Sequence, residues 1–341
     1  MADSRSDNVP PHVQLIQMGR AYVVARTVYA AAKLGLADQL GTGPKSAADL
    51  AGPMHVHAPS LHRLMRTLAS IGILTEQTGR RFGLTDLGEA LKTGAPGSAR
   101  SSVLISGSPA FQSGWDNLVY SVQTGNPGFE KAHGITYFDY LAQHPEYASL
   151  FSEMMVGLHS QEPSAVAAAY DFSIFKTIVD VGGATGNMLA TVLARHSGPR
   201  GILFDRPHVV QDAPALLDAK GVSNRVTIEP GNFFESVPAW ADAYILSHIL
   251  HDWNEDQCLM ILDRVHKAMN AAAHLLIVEM VIPPGDAPHP GKMLDMTMLV
   301  QMGGQERTAD EYEILLSKGG FRLTQVIPTS SAASILEAVI A

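Results

Sequence analysis

The sequence predicts an α/β protein, in which helices cover both faces of a parallel sheet, preceded by a mainly helical N-terminal domain. Three observations lead to this prediction. A glycine-rich turn separates an apolar run from an amphipathic stretch within residues 177–206. From residue 177 onward, apolar runs alternate with segments of helical periodicity, a pattern typical of parallel sheets. Residues 13–40 are apolar on nearly every side of a helix, so we expect a helix there that is buried all round.

The segment TIVDVGGATGNMLATVLARHSGPRGILFDR at residues 177–206 predicts one βαβ unit. Ile178, Val179 and Val181 form an apolar run of the kind found in buried parallel strands. Three glycines follow, at 182, 183 and 186, and allow the backbone to turn sharply beneath a ligand. The next residues repeat apolar side chains at helical spacing, so the turn opens a helix with free N–H groups.

Two nucleotide-binding loops share features with this turn, and neighbouring residues argue against both. A phosphate-binding P-loop needs Lys followed by Ser or Thr after its last glycine, and Asn187-Met188 stand there instead. A nicotinamide-binding loop of the GATG kind would be accompanied by a downstream Tyr and Lys four apart, which the sequence lacks. Asp180 and Asp205 instead fit a ligand with an amino-acid end and ribose hydroxyls. S-adenosylmethionine is such a ligand.

Composition limits the possible functions. The 341 residues are 46% hydrophobic and 17% charged, as in an ordinary globular enzyme with room for two domains. The net charge of −9, without a basic cluster, disfavours nucleic acid as a partner. The single cysteine, Cys258, excludes an internal disulfide, and residues 1–12 lack the apolar core of a signal peptide. With no apolar run near the roughly 20 residues of a membrane-spanning helix, we expect a cytoplasmic protein with no membrane partner.

Residues 46–85 predict a winged helix. Ser46 and Asp49 resemble a capping box, an apolar stripe at helical spacing ends near Gly72, and ILTEQTGRRFGLT indicates a hairpin. This motif often binds DNA, but in an acidic chain we expect it to serve dimerisation. Pro96 to about Ala110 is predicted to be a small-residue linker, followed by helical segments rich in aromatic side chains and methionine.

The predicted strands of the sheet are 177–182, 200–205, 225–229, 242–247 and 274–281, closed by a strand pair at 321–327 and 333–340. Ligands of such sheets bind at the carboxyl ends of the parallel strands. Polar residues stand at all five of these ends, and because the ends meet at one edge we expect the side chains to converge on one crevice.

Several motifs in series resemble those of plant-type and bacterial small-molecule O-methyltransferases, relatives of the caffeate and acetylserotonin enzymes. They are VDVGGATG, FDRPHVV, PGNFF, SHILHDWNEDQC, LLIVEMVIP and GGQERT, in order along essentially the whole chain. The resemblance implies a Rossmann-like class I methyltransferase domain at 99–341 after a winged-helix dimerisation domain at 1–98. Within the former, 99–170 would form a helical acceptor-pocket segment and 171–341 the Rossmann-like core. It also implies a homodimer that interlocks through residues 13–40.

The resemblance also assigns roles to residues. His251 takes the position of the family's general base, and Glu279 and Glu306 match the glutamates that bracket it. The residues assigned to S-adenosylmethionine are Asp180, Gly182, Gly183, Asp205, Arg206, Asn232, Phe233, Ser247, His248 and Trp253. Those assigned to the acceptor are Trp115, Phe151, Met155, Asp252 and Met298.

Three positions depart from the family pattern. Many relatives have aspartate where Asn232 stands, lysine where Ser247 stands and a third glycine where Ala184 stands. An amide can still bond adenine, and alanine fits if its φ stays negative. His248 and His251, three residues apart, lack evident further ligands, so no metal is expected.

The prediction for function is therefore a methyl transfer from S-adenosylmethionine, leaving S-adenosylhomocysteine, to a hydroxyl of a small, planar, phenolic or polyketide-like acceptor of secondary metabolism. The alternative is a catalytically silent, ligand-sensing regulator that uses the winged helix for DNA. Retention of His251, Glu279 and Glu306 favours the enzyme.

Overall fold

The computed structural model describes residues 9–95 and 97–341, which form two compact units. The first unit takes in the described residues up to Gln112 together with Phe138–Leu158, and the second takes in Ser113–Tyr137 and His159–Ala341. The prediction that no signal peptide is present rests partly on residues 1–8, and the predicted linker begins at Pro96. These residues lie outside the described ranges.

The first unit is mainly helical, with one small antiparallel sheet of strand order β1-β3-β2. Its strands are β1 (Lys45–Ser46), β2 (Leu74–Gln77) and β3 (Arg81–Leu84). Its helices are α1 (Pro11–Gly19), α2 (Ala21–Lys33), α3 (Leu36–Leu40), α4 (Ala47–Met54), α5 (Ala58–Ser70), α6 (Asp86–Glu89), α7 (Arg100–Ser106) and, further along the chain, α12 (Pro145–Leu158). Two helices have residues in both units, α8 (Pro109–Asp116) and α11 (Tyr137–Gln143).

The predicted capping box and hairpin are confirmed. The Ser46 hydroxyl accepts the N–H of Asp49, whose carboxylate accepts the N–H of Ser46, so α4 begins at residue 47. The hairpin pairs β2 with β3, and its turn places Gly79 and Arg80 at positive φ. Helices α4 and α5 precede this hairpin, in the order that the winged-helix prediction requires.

The prediction of one continuous helix at 13–40 is wrong, whereas burial of this segment against a second subunit stays a prediction. The segment divides into α1, α2 and α3, because the chain is interrupted at Arg20 and again at Gly35, whose φ is +64°. None of the residues of α1, all of which the structure describes, is buried. Large apolar side chains of α1 and α2 face outward, among them Leu15, Met18 and Tyr22, each more than 60% exposed. Several exposed large apolar side chains on neighbouring helices are typical of a protein interface.

The predicted linker is also partly wrong. Residues 100–106 form α7, in which Leu104 and Ile105 are buried, and α8 begins at Pro109. The small residues of this segment allow close packing: a Cβ at Gly107 would lie 2.3 Å from the ring of Tyr29. Sequence composition alone suggested a linker because the apolar stripe of α7 is only two or three residues long.

The second unit contains the large sheet. Its strands are β4 (Thr177–Val181), β5 (Arg200–Asp205), β6 (Val226–Pro230), β7 (Ala243–Ser247), β8 (His274–Glu279), β9 (Phe321–Pro328) and β10 (Ser334–Ile340). Its helices are α9 (Leu118–Thr124), α10 (Gly128–His133), α13 (Glu162–Ala169), α14 (Asn187–Arg195), α15 (Ala213–Ala219), α16 (Glu255–Ala268), α17 (Pro290–Gln301) and α18 (Ala309–Lys318).

The strand order is β6-β5-β4-β7-β8-β10-β9, and all seven strands lie within two residues of their predicted bounds. The five strands β4 to β8 are parallel, and β10 pairs antiparallel with both β8 and β9. The order reverses at β4, where one connection leads to β5 on one side and a later one to β7 on the other. This is the switch point at which α/β sheets open a ligand crevice.

Alternate residues of β4 face two hydrophobic cores, one on each side of the sheet. Val179 and Val181 pack with Leu246 and Ile277, and Ile178 packs with Leu189 and helices α13 to α15 on the other side. The Rossmann-like fold predicted from the sequence is confirmed. Among the residues that the structure describes, no helix has the length and apolar content to cross a membrane.

Candidate active site

The glycine turn after β4 leaves no space for side chains. A Cβ at Gly182 would lie 2.4 Å from Cδ1 of Ile249, and a Cβ at Gly183 would lie 2.6 Å from the carboxyl group of Asp180. Gly182 and Gly186 also have φ of +72° and +83°, which other residues rarely adopt. The backbone of the turn therefore packs directly against Ile249 and Asp180. It leads into α14, whose first N–H groups lie at the switch point.

The condition under which alanine would fit at position 184, a negative φ, is not met. The φ of Ala184 is +51°, in the left-handed region. The reason is a hydrogen bond: the Ala184 N–H donates to Oδ2 of Asp205 at 2.9 Å, and this fixes the turn in a shape that suits glycine. An alanine in this conformation carries a strain of about 1–2 kcal/mol.

Asp205 ends β5 and is hydrogen-bonded to the glycine turn that follows β4. Its Oδ2 accepts from Ala184 and its Oδ1 accepts the Arg206 N–H at 2.6 Å. Burial raises the pKa of Asp205, although these two bonds oppose the shift. Each carboxylate oxygen has a second lone pair, so both can still accept from a ligand hydroxyl.

Asp180 lies beneath the turn, on the same side of the sheet as Ile178. It is fully buried, and neither carboxylate oxygen has a hydrogen-bond partner among the described residues. Burial raises the pKa of Asp180 to about 7, outweighing a nearby N–H at Leu189, and Asp205 adds to the increase. A cationic ligand group near the turn would therefore stabilise its ionised form. This orphaned carboxylate and the glycine turn fit S-adenosylmethionine, which carries an ammonium and a sulfonium.

Aromatic rings form the next wall of the crevice, after β6. Asn232 is held in the turn because its Oδ1 accepts the Phe234 N–H and its amide donates to Glu235. The ring of Phe233 lies 6.1 Å from that of Trp253, edge to face, and Phe234 lies 4.8 Å from Trp253. The predicted cofactor residues 232, 233 and 253 thus lie together. Ser247 ends β7 beside Val278 of β8.

His251 sits in the short 3₁₀ turn Leu250–Asp252 that follows β7 and is almost completely buried. Its Nδ1–H donates to Oε1 of Glu306 at 2.6 Å. A carboxylate can only accept, so this bond assigns the Nδ1 proton and leaves Nε2 for a second partner. The sequence prediction placed Glu306 beside His251, and the structure brings the two side chains into contact.

Glu279 bonds to His251 differently from Glu306. Its Oε1 accepts the backbone N–H of His251 at 3.2 Å, and its Oε2 accepts the hydroxyl of Tyr312 in a short bond. Glu279 therefore holds the turn rather than the imidazole. Tyr312, on α18, was missed by sequence reasoning because it lies 61 positions from His251 in an ordinary amphipathic helix. Burial, followed by the charge of Glu279, raises the pKa of Tyr312 well above its usual value.

Three carboxylates determine the charge of His251. Burial alone would lower the pKa of its imidazole, but Asp252, Glu306 and Glu279 together raise it to about 10. Oδ1 of Asp252 lies 3.6 Å from Nε2. Burial, with Glu279 and Glu306, raises the pKa of Asp252 to about 6 despite the opposing effect of His251.

The GGQERT segment packs directly on this turn. A Cβ at Gly304 would lie 1.9 Å from the carbonyl oxygen of His251, and the Gln305 N–H donates to that oxygen at 2.8 Å. Arg307 donates to the carbonyl of Leu250, and the Glu306 N–H donates to Asp295. The motif thus fixes Glu306 relative to the imidazole through the backbone.

A second histidine–glutamate pair lies beside the first. Nε2 of His248 is 2.7 Å from Oε1 of Glu162, at the start of α13, and Nδ1 of His159 is 3.4 Å from Oε2 of the same carboxylate. The rings of His159 and His248 are 4.0 Å apart, and those of His248 and His251 are 5.1 Å apart. Sequence reasoning missed Glu162, because 86 residues separate it from His248.

This histidine–glutamate cluster has a donor set that could hold a metal, since its ligand atoms lie within 4.8 Å of one another. Its geometry favours direct hydrogen bonding. His248 already bonds Glu162, and two imidazoles on one tetrahedral ion would have their rings farther apart than 4.0 Å. Burial would raise the pKa of Glu162, but bonds from His159 and His248 lower it to about 2.

The predicted acceptor residues fall in both units. Trp115 on α8 and the buried Met298 on α17 belong to the second unit, with Asp252. Phe151 and Met155 lie on α12 in the first unit. Their role as pocket residues stays a prediction.

Two family models cover most of the chain. Residues 115–322 match the O-methyltransferase domain, and residues 16–94 match the O-methyltransferase dimerisation domain. The chain is an O-methyltransferase. Its cofactor is S-adenosylmethionine, and the family resemblance found in the sequence motifs is confirmed.

Individual relatives agree with this assignment. This O-methyltransferase is 44% identical to the phenazine O-methyltransferase PhzM of Lysobacter antibioticus over 98% of both chains. The solved structure of LaPhzM matches with a TM-score of 0.92, at 44% identity, over 98% of this chain and 100% of that one. An O-methyltransferase from neocarzinostatin biosynthesis has been solved with S-adenosylmethionine and 2-hydroxy-5-methyl naphthoic acid. It matches with a TM-score of 0.84 at 29% identity, over 93% of this chain and 96% of that one. The comparisons do not support the regulator alternative.

Proposed function

We propose that this enzyme methylates a hydroxyl of a small aromatic acceptor and that His251 is the general base. The observation that carries the proposal is the buried His251–Glu306 pair, which lies at the same edge of the sheet as the glycine turn. The cofactor supplies, when bound, a methyl group on a good leaving group. The work left to the protein is to align the acceptor oxygen and to take its proton.

Only the neutral form of His251 can perform this task, and the raised pKa of its imidazole makes that form a stronger base that is populated at alkaline pH. A phenol has a pKa near 10, and the carboxylates around His251 raise the pKa of its imidazole to about 10. A base and an acid of similar pKa exchange a proton with little energetic cost. Glu306 holds Nδ1–H, so Nε2 is the nitrogen that takes the acceptor proton. The same carboxylate stabilises the imidazolium that forms.

Relatives support the acceptor class. The names of the relatives refer to a phenazine and a hydroxynaphthoic acid, both planar aromatic compounds. A phenolic or polyketide-like acceptor is therefore proposed for this enzyme. The dimerisation-domain match and the exposed apolar side chains of α1 and α2 support a homodimer. We propose 1–98 as the dimerisation domain and 99–341 as the methyltransferase domain.

The test is turnover of S-adenosylmethionine against a panel of hydroxylated phenazines, naphthoic acids and simple phenols, followed by mass spectrometry. We expect a mass increase of one methyl group on at least one hydroxylated member. The amino-substituted analogues of the same compounds serve as the comparison. Methylation of nitrogen alone, or of none of the compounds, would contradict the proposal.

A further inference from the structure

His248 has an unused nitrogen. Its Nδ1 is buried and has no hydrogen-bond partner among the described residues, whereas its Nε2 bonds Glu162. The side chain is 8% exposed. Leaving a buried acceptor unpaired is costly, so a group of this kind usually has a partner when the protein is functioning.

The Glu162 carboxylate determines which nitrogen of His248 carries the proton. Because a carboxylate accepts and does not donate, the proton lies on Nε2 and the lone pair on Nδ1. Burial lowers the pKa of His248 despite the opposing bond to Glu162, and His251 and His159 add to the decrease, so the neutral imidazole is favoured. His248 therefore offers an acceptor, where a protonated histidine would offer a donor.

The backbone at His248 is also unusual. Its φ is +53°, in the left-handed region, and its N–H donates to the carbonyl of Val278 on β8. Strained residues of this kind are concentrated at functional sites. The ring of His248 lies 5.1 Å from the ring of His251, so the two imidazoles are neighbours.

We propose that Nδ1 of His248 accepts a hydrogen bond from a second donor group, a hydroxyl or an amino group, on the aromatic acceptor. This inference rests on the proposed function and deepens it. It moves His248 from the cofactor wall, where the sequence motifs placed it, to the acceptor. His251 takes the proton of the reacting hydroxyl, and His248 selects acceptors that carry a neighbouring donor. Glu162 is then a positioning residue, because it acts through the tautomer of His248.

The kinetic test uses the acceptor identified by the panel and its analogue in which the second donor group is replaced by hydrogen. For the wild-type enzyme we expect kcat/KM to be about ten-fold or more higher for the acceptor with the donor. His248→Phe keeps a ring against His159 and should reduce this ratio to near one. His196→Phe is the matched control, because His196 also packs on an aromatic ring, that of Phe172, and should leave the ratio unchanged.

Glu162 variants separate positioning from packing. In Glu162→Gln an amide oxygen can still accept from Nε2–H, so we expect most of the preference to remain. Glu162→Leu removes that acceptor and should lose the preference. Thermal unfolding of each variant identifies those that fail to fold. If a variant does not fold, the nitrogen-15 spectrum of the wild-type protein tests the tautomer of His248 instead.

Nitrogen-15 spectra of the histidine rings in the complex with S-adenosylhomocysteine test the tautomer without turnover. We expect Nδ1 of His248 to be unprotonated. A proton on Nδ1 would overturn the proposal. The proposal would also be overturned if the kcat/KM ratio were unchanged in His248→Phe, or if the acceptor found in the panel had no second donor group. A ten-fold loss of S-adenosylhomocysteine affinity in His248→Phe would overturn it as well, because it would assign Nδ1 to the cofactor. A wild-type enzyme that methylates no hydroxyl contradicts the proposed function, and the nitrogen-15 result still decides the tautomer.

Discussion

Oε1 of Glu279 accepts the backbone N–H of His251, whereas the imidazole of the same histidine donates to Glu306. Two glutamates that the sequence motifs treat alike therefore have different roles. Glu279 fixes the turn that carries the base, and Glu306 fixes the tautomer of the ring and raises its pKa through a direct hydrogen bond. Variants of the two residues should consequently differ in their pH dependence.

Glu306→Gln should shift the acidic limb of the pH–rate profile to lower pH. Glu306 is one of the carboxylates that raise the pKa of His251 to about 10, so its neutralisation favours the uncharged imidazole. In the wild-type enzyme kcat/KM should rise with pH up to about 10, because only neutral His251 is a base. Profiles measured with one acceptor under constant ionic strength check this. An acidic limb that lies at the same pH in Glu306→Gln as in the wild-type enzyme would contradict the assignment of His251 as the base.

His251→Ala should lower kcat by about 10²–10⁴-fold and leave cofactor affinity nearly unchanged. The imidazole is bonded to Glu306 and not to the residues of the glycine turn, so its loss should leave the cofactor site in place. Single-turnover kinetics and calorimetry with S-adenosylhomocysteine measure the two quantities. His266→Ala, a histidine packed on Phe321 at the far side of α16, is the control. Near-native turnover by His251→Ala would show that positioning alone accounts for the rate.

Sequence reasoning predicted the sheet well because burial on both faces of β4, β7 and β8 leaves continuous apolar runs. The family motifs also predicted that Glu306 lies beside His251. Sequence reasoning did not find Glu162 or Tyr312, because each contacts the site through a side chain from a helix whose pattern is that of any core helix.

The failures at residues 13–40 and 184 have other physical reasons. An apolar helix can be exposed in one chain if a second chain covers it, and periodicity does not distinguish the two cases. The φ of Ala184 follows from its bond to Asp205, a contact between the glycine turn and the end of β5 that local propensity does not contain.

Ala184→Gly should raise the free energy of unfolding by about 1 kcal/mol, because glycine adopts a φ of +51° without strain. The same substitution at Ala168, exposed within α13, should lower it by about 1 kcal/mol through the loss of helix propensity. Urea unfolding of both variants gives the comparison. Equal effects of the same sign at the two positions would contradict the strain at Ala184.

Met18→Glu should convert the homodimer to a monomer. Met18 is 69% exposed on α1, among the exposed apolar side chains of α1 and α2, and a charge buried without a partner in an interface is costly. Light scattering at several protein concentrations measures the mass. Ile314→Glu, at a similarly exposed position on α18, is the control and should leave the mass unchanged. A dimer that persists in Met18→Glu would place the interface elsewhere.

Asp205→Ala should weaken binding of S-adenosylmethionine by about 1–3 kcal/mol, or about 5- to 150-fold in Kd. The variant removes the acceptor for ribose hydroxyls and also leaves the N–H groups of Ala184 and Arg206 without their partner. Because the ribose is common to cofactor and product, S-adenosylhomocysteine should lose the same factor. Asp212→Ala, an exposed aspartate on the same connection, controls for the change in net charge. If calorimetry shows equal affinities for S-adenosylmethionine in wild type and Asp205→Ala, Asp205 is not part of the cofactor site. If the wild-type enzyme binds NADH as tightly as S-adenosylmethionine, the nicotinamide-binding interpretation of the glycine turn returns.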